Sequence, residues 1–175
     1  MYYQAKDLDM CVAIISIDGN TSGILKTQRS MDFLSKNYPS ITVMPENIEL
    51  DSDQEISTPI YQGGNCITSM FDVAISKSLA PWVYLIFAGS IIRKKIDIKL
   101  SKYVEAESDV LFPVVDRIWN FIDGSVNGIL INKNFHKSVG NFGSGNPLKV
   151  TKLNWAEMAL EKGVQFKAIV GAFSI

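Results

Sequence analysis

Residues 11–17 read CVAIISI, an apolar run rich in β-branched side chains. A run without polar alternation suits a strand covered on both faces, the environment of a central strand in a parallel sheet. It ends at Asp18-Gly19-Asn20, a strong turn signal. Beyond the turn, the apolar positions Ile24, Leu25, Met31, Phe33 and Leu34 predict a helix over 21–37, with Thr21 or Ser22 as its N-cap. Tyr38-Pro39 stops that helix, and ITVM at 41–44 reads as a second strand. Strand, helix and strand in this order form a βαβ unit, which commits the chain to an α/β fold.

The later segments extend the pattern. Residues 46–58 carry Glu46, Glu49, Asp51, Asp53 and Glu55 with no basic residue among them, which reads as a solvated loop. PIYQGGN at 59–65 is turn-rich, and Gly63-Gly64 gives backbone freedom where the chain bends or approaches a ligand. Three- and four-residue spacing of Ile67, Met70, Phe71, Ala74, Ile75 and Leu79 predicts a helix over 67–80, closed by Pro81. WVYLIFA at 82–88 is the strongest central-strand candidate. Gly89-Ser90 turns it into a basic stretch in which Arg93, Lys94, Lys95, Lys99 and Lys102 are opposed by Asp97. Further strands are expected at 109–115, 166–173 and, more briefly, 118–122. Residues 128–131 are short and apolar, 140–147 (GNFGSGNP) form a loop, and 153–162 have helical spacing stopped by Gly163. No repeat or long linker divides the chain.

Composition excludes some classes. The 175 residues carry 17 Lys+Arg against 18 Asp+Glu, a net charge of −1 that gives nucleic acid no global reason to bind. Hydrophobic residues make up 47 % and charged residues 20 %, a globular balance. No apolar run reaches the roughly 20 residues of a transmembrane helix, so no membrane span is expected. Cys11 and Cys66 do not form a disulfide framework, and together these features lead to an expected cytoplasmic location or a place in a soluble assembly.

Candidate chemistry is sparse. There is neither a G-x-G-x-x-G fingerprint nor a G-x-x-x-x-G-K-[ST] loop, which disfavours the familiar mononucleotide and dinucleotide loops. His136 is the single histidine, leaving little material for His-based metal sites or Ser-His-Asp machinery, and it reads as structural or exposed. Cys66 reads as an inert thiol. Asp18 follows the first strand and Glu46 the second, where open α/β sheets place ligands. Each reads either as a turn cap or as an acceptor of hydrogen bonds from a sugar or base. The acidic stretch matches no calcium loop. The basic stretch reads as a solvated helix face or as a contact for an anion or partner, without interleaved aromatics for stacking on bases. Trp82, Trp119 and Trp155 read as core or as part of a protein interface.

The order of segments resembles family-two glycosyltransferases of the GT-A fold. CVAIISIDGN (11–20) resembles that family's first strand and nucleotide-contacting loop, and ILKTQRSMDFLSKNYPSITVMPEN (24–47) its first helix and second strand. FDVAISKSLAPWVYLIFAGS (71–90) resembles the helix and strand that lead into its acidic metal motif. SVNGILINKNFHKSVGNF (125–142) is similar to its acceptor-side strand and turn. NWAEMALEKGVQF (154–166) is similar to the helix carrying its catalytic base. The resemblance implies one α/β domain over 1–175 with a mostly parallel sheet and flanking helices. Residues 1–10 would be an N-terminal extension, 11–115 the nucleotide-sugar-binding half, and 116–175 a truncated acceptor-side half.

The resemblance implies Asp18, Glu46, Asp72, Lys94 and Lys95 as nucleotide-sugar-binding residues, with Glu157 as the catalytic base. Two departures qualify it. The metal motif falls on Ala88-Gly89-Ser90, which holds no carboxylate, and the acidic pair near the base falls on Asn154-Trp155. Glu157 is displaced from that pair, and a two-residue shift turns a helical side chain by roughly 200°. These departures favour a degenerate glycosyltransferase-like module that binds or assembles without catalysis, with a protein partner or a second copy of the chain. The alternative is an active transferase moving a sugar from a nucleotide-sugar donor. No cofactor is expected for the degenerate module, and Mg²⁺ or Mn²⁺ only for the active transferase.

Overall fold

The computed structural model describes residues 8–105, 110–114, 127–142, 161–163, 166–170 and 173–174. The first strand, β1 (Met10–Ile15), is buried along its whole length. Side chains alternate across a strand, so β1 feeds two cores. Cys11, Ala13 and Ile15 pack on one face with Met70, Phe71 and Ala74, while Met10, Val12 and Ile14 pack on the other with Ile24, Ile96 and Leu100. This two-sided burial is why the run lacks polar alternation.

The helix after β1 is α1 (Thr21–Ser30), continued by a 3-10 turn at Met31–Phe33. It is shorter than the 21–37 expected. Leu34 leaves in extended conformation and is buried among Leu8, Met10 and Trp82. The N-cap is Asn20 rather than Thr21 or Ser22, and its side chain accepts from the Gly23 N–H at 2.9 Å. The next strand, β2 (Ser40–Met44), pairs parallel to β1. The turn-rich PIYQGGN segment contains a strand as well: β3 (Ile60–Gln62) pairs parallel to β2. Its edge position explains its brevity and its exposed Ile60.

Helix α2 (Ile67–Lys77) buries Met70, Phe71, Ala74 and Ile75 against the sheet. Strand β4 (Trp82–Phe87) then lies parallel to β1 on the side away from β2. Beyond β4 come the short β5 (Ile91–Ile92) and α3 (Ile96–Glu105), then β6 (Val110–Val114). The short apolar piece at 128–131 is β7 (Ile129–Asn132), followed by α4 (Lys133–Val139). The last described strands are β8 (Phe166–Val170) and β9 (Phe173–Ser174), which divide the single strand expected at 166–173.

The main sheet has the order β3-β2-β1-β4-β7-β6-β8, and β5 pairs with β9 in a separate ribbon. Within the main sheet, pairing is parallel except where β7 runs antiparallel to both β4 and β6, and the β5–β9 ribbon is antiparallel. The mostly parallel α/β architecture expected from the sequence is therefore present. The strand expected at 118–122 and residues 153–160 of the helix expected at 153–162 lie outside the described residues, as do Trp119 and Trp155.

Candidate functional site at the carboxyl edge of the sheet

The strand order itself locates a site. From β1 the chain moves outward to β2 and β3, then returns to place β4 on the opposite side of β1. Such a reversal opens a crevice outside the carboxyl ends of the two central strands, where α/β sheets take ligands. Here those ends are residues 16–20 after β1 and 88–90 after β4, joined by Ala88 N–H donating to Ile15 O at 2.9 Å. Ser16 is buried at this junction, and its hydroxyl makes no hydrogen bond.

Asp18 is exposed at this edge, and one carboxylate oxygen accepts from the Asn20 N–H at 3.1 Å. Glu46 is exposed in the turn that follows β2, one strand over on the same edge. The structure thus brings Asp18 and Glu46 to one edge of the sheet.

The acidic loop between β2 and β3 folds back onto the β1–α1 turn. Asp51 accepts from the Thr21 N–H at 2.9 Å, and its own N–H donates to Gly19 O at 3.1 Å. The Thr21 N–H bond holds the Asp51 carboxyl below its ordinary value. A carboxylate at a helix N-terminus meets both the free N–H groups and the positive end of the helix dipole. The approach is tight: a Cβ on Gly19, whose φ is +71°, would sit 2.2 Å from Glu49 O. The loop is therefore docked through Asp51 rather than solvated throughout, a contact invisible in a run of like charges.

The turn after β4 is closed by side-chain hydrogen bonds. Thr27 of α1 donates its hydroxyl to Ser90 O at 2.8 Å and accepts from the Gly89 N–H at 3.0 Å. From the other side, Asn127 donates its Nδ2 to Ser90 Oγ at 2.9 Å and accepts from the Phe87 N–H at 2.8 Å. Thr27 and Asn127 carried no motif signal, because each acts through a partner distant in sequence.

Past Ser90 the chain runs alongside α1 toward the opposite edge. Ile92 N–H donates to Ser30 Oγ at 2.9 Å, and Lys95 N–H donates to Phe33 O at 2.8 Å. Asp97, only 2 % exposed, accepts from the Ser35 N–H at 3.0 Å, the Ser35 hydroxyl and the Tyr38 hydroxyl. This track carries Lys94 and Lys95 away from the edge that holds Asp18 and Glu46. The acid within the basic stretch is its anchor, and the lysines project from the turn before α3 as exposed groups.

Asp72 lies on α2, where its Oδ1 is 2.9 Å from His136 Nε2 and accepts from the Phe142 N–H at 3.1 Å. His136 is buried on α4 against the Phe142 ring, and that ring meets Phe71 edge-on. Phe71 in turn stacks on Phe87 at the end of β4. The structural reading of His136 holds, while Asp72 ties α2 to α4 and to the chain beyond it. Glu157 lies outside the described residues. Trp82 is buried in the core. Cys66 precedes α2, and its thiol lies 3.2 Å from Ser69 Oγ. A separate groove of about 510 Å³ follows the outer face of α1, lined by residues including Lys26, Arg29, Phe33 and Ile91.

The sequence resemblance to family-two glycosyltransferases implies a divalent cation at the β4 turn. The residues there do not fit one. Ala88 and Gly89 have no side-chain donor atom, and Ser90 Oγ is engaged by Asn127 and 3 % exposed. Among the described residues, no group of three or more His, Cys, Asp or Glu is arranged to hold a metal ion. Likewise, no described helix is long and apolar enough to cross a membrane.

The topology matches solved structures closely. The 1–349 fragment of S. aureus TarS in complex with UDP-GlcNAc superposes with a TM-score of 0.71, over 93 % of this chain and 57 % of that one, at 9 % identity. The fold is GT-A-like. A longer S. aureus TarS structure gives a TM-score of 0.69 over 95 % of this chain and 36 % of that one, at 10 % identity. The mannosyltransferase PcManGT of Pyrobaculum calidifontis, in complex with GDP-Man and Mn²⁺, gives 0.66 over 94 % and 57 %, at 9 % identity. This chain thus spans less than two thirds of each of these chains. No family model and no curated protein matches the sequence itself.

Proposed function

We propose that the chain is a glycosyltransferase that takes a nucleotide-sugar donor at the carboxyl edge of β1, β2 and β4. The carrying observation is the strand reversal between β1 and β4, in a chain that superposes on a structure of TarS in complex with UDP-GlcNAc. In this reading Asp18 and Glu46 accept hydrogen bonds from the nucleoside. The acceptor hydroxyl oxygen attacks the anomeric carbon as the bond from that carbon to the diphosphate oxygen breaks. The electron pair leaves with the nucleoside diphosphate. Glu157 takes the acceptor's proton, as a base within hydrogen-bond reach of that hydroxyl. Asp72 acts at one remove, through its hold on His136 and Phe142.

The carboxylate-free β4 turn favours a second reading, in which the chain binds the donor without transferring the sugar and serves an assembly with a protein partner or another copy. One experiment separates the two. The purified protein is incubated with UDP-GlcNAc and GDP-mannose, with and without Mn²⁺, and free nucleoside diphosphate is measured beside equilibrium binding. Release of diphosphate that falls on Glu157→Gln substitution supports transfer. Binding without release supports the module, and absence of binding removes both.

A further inference from the structure

We infer that this chain binds its nucleoside-diphosphate donor without a divalent cation, through a β4 turn locked by hydrogen bonds. The inference rests on donor binding at the β1–β4 crevice, which both functional readings share. Mg²⁺ requires near-octahedral oxygen coordination and is commonly held by one or two carboxylates together with substrate phosphates. The turn at 88–90 offers no carboxylate. Its single side-chain oxygen, Ser90 Oγ, already accepts from Asn127 Nδ2 at 2.9 Å.

The rest of the turn is committed in the same way. The Gly89 N–H meets Thr27 Oγ1, Ser90 O accepts from the Thr27 hydroxyl, and the Phe87 N–H meets Asn127 Oδ1. Swinging Ser90 toward a cation would leave a buried Asn127 donor unpaired, a disfavoured arrangement because buried polar groups in folded proteins are hydrogen-bonded. Among the described residues, no group of three or more Asp, Glu, His or Cys is arranged to hold a cation in its place. Asp51 is bound to the Thr21 N–H, and one oxygen of Asp18 to the Asn20 N–H. Thr27 and Asn127 thus fix the strand end that a cation would otherwise organise.

Isothermal titration of the purified full chain with UDP, GDP, UDP-GlcNAc and GDP-mannose tests this, once in excess EDTA and once in saturating Mn²⁺. The expected result is that at least one nucleotide binds in EDTA with an affinity within about threefold of that in Mn²⁺. A larger gain from Mn²⁺ overturns the inference while leaving donor binding intact. No binding in either condition overturns both together. Mn²⁺ alone, followed by electron paramagnetic resonance, is expected to remain as the free ion in the presence of protein. A stoichiometric bound signal that UDP strengthens would count against the inference.

Discussion

Asp51 shows how one side chain changes the meaning of a segment. Its carboxyl is held below the ordinary aspartate value of 3.8 by the Thr21 N–H. A lowered folded-state value contributes stability above the unfolded value, and that contribution is lost as pH falls through the folded one. Asp51→Asn is therefore expected to lower the melting temperature at pH 7. The gap from wild type should close as pH falls below 3.8 and through the lower folded value. Thermal melts of both proteins across that range check this. Gly19→Ala forces a left-handed backbone on a residue with a Cβ, which costs roughly 1–2 kcal/mol before any clash with Glu49. Urea denaturation should show at least that loss. Ser16→Ala runs the other way: removal of a buried hydroxyl without a partner should leave stability unchanged or raise it by up to about 1 kcal/mol. A clear loss in urea denaturation would contradict the assignment of that hydroxyl as unpaired.

At the scale of elements, α2 and α4 are joined through Asp72, His136 and Phe142. Asp72→Ala removes the acceptor for a buried imidazole nitrogen and a backbone N–H together. A loss of about 1–3 kcal/mol is expected from the unmet groups, read by chemical denaturation, with Asp72→Asn recovering part of it. The sequence conveyed the helical period of α2 because Phe71, Ala74 and Ile75 face the sheet. It did not convey what Asp72 holds, because residue 136 lies 64 positions away. The same applies to β3. Three residues amid glycine and proline carry too little period to read as a strand, and β2 supplies the pairing that makes them one.

At the scale of the whole molecule, the strand reversal gathers Asp18 and Glu46 at one edge, while the 90–97 track takes Lys94 and Lys95 toward the other. If the proposed transfer is correct, Glu157→Gln should lower kcat by about 10²–10⁴-fold, the range for a general base, with little change in donor affinity. Single-turnover assays beside nucleotide titrations measure the two separately. Equal losses in donor binding and rate would instead give Glu157 a role in holding the donor. The positions of the acids after β1 and β2 were legible because they depend on local turns at the ends of buried strands. The path of the basic stretch was not, because it follows contacts with α1 and with Ser35, some 62 positions away.

The sequence alone determined the alternating α/β elements, since buried runs and helical spacing are local consequences of which faces meet a core. It also determined that the β4 turn has no carboxylate. The tertiary structure decided which polar groups meet: Asp51 with Thr21, Asp72 with His136, Asn127 with Ser90. Their sequence separations of 30, 64 and 37 leave no periodic trace. Each pairing exists because a buried or helix-terminal polar group needs a partner, and packing of the sheet decides which group comes within reach.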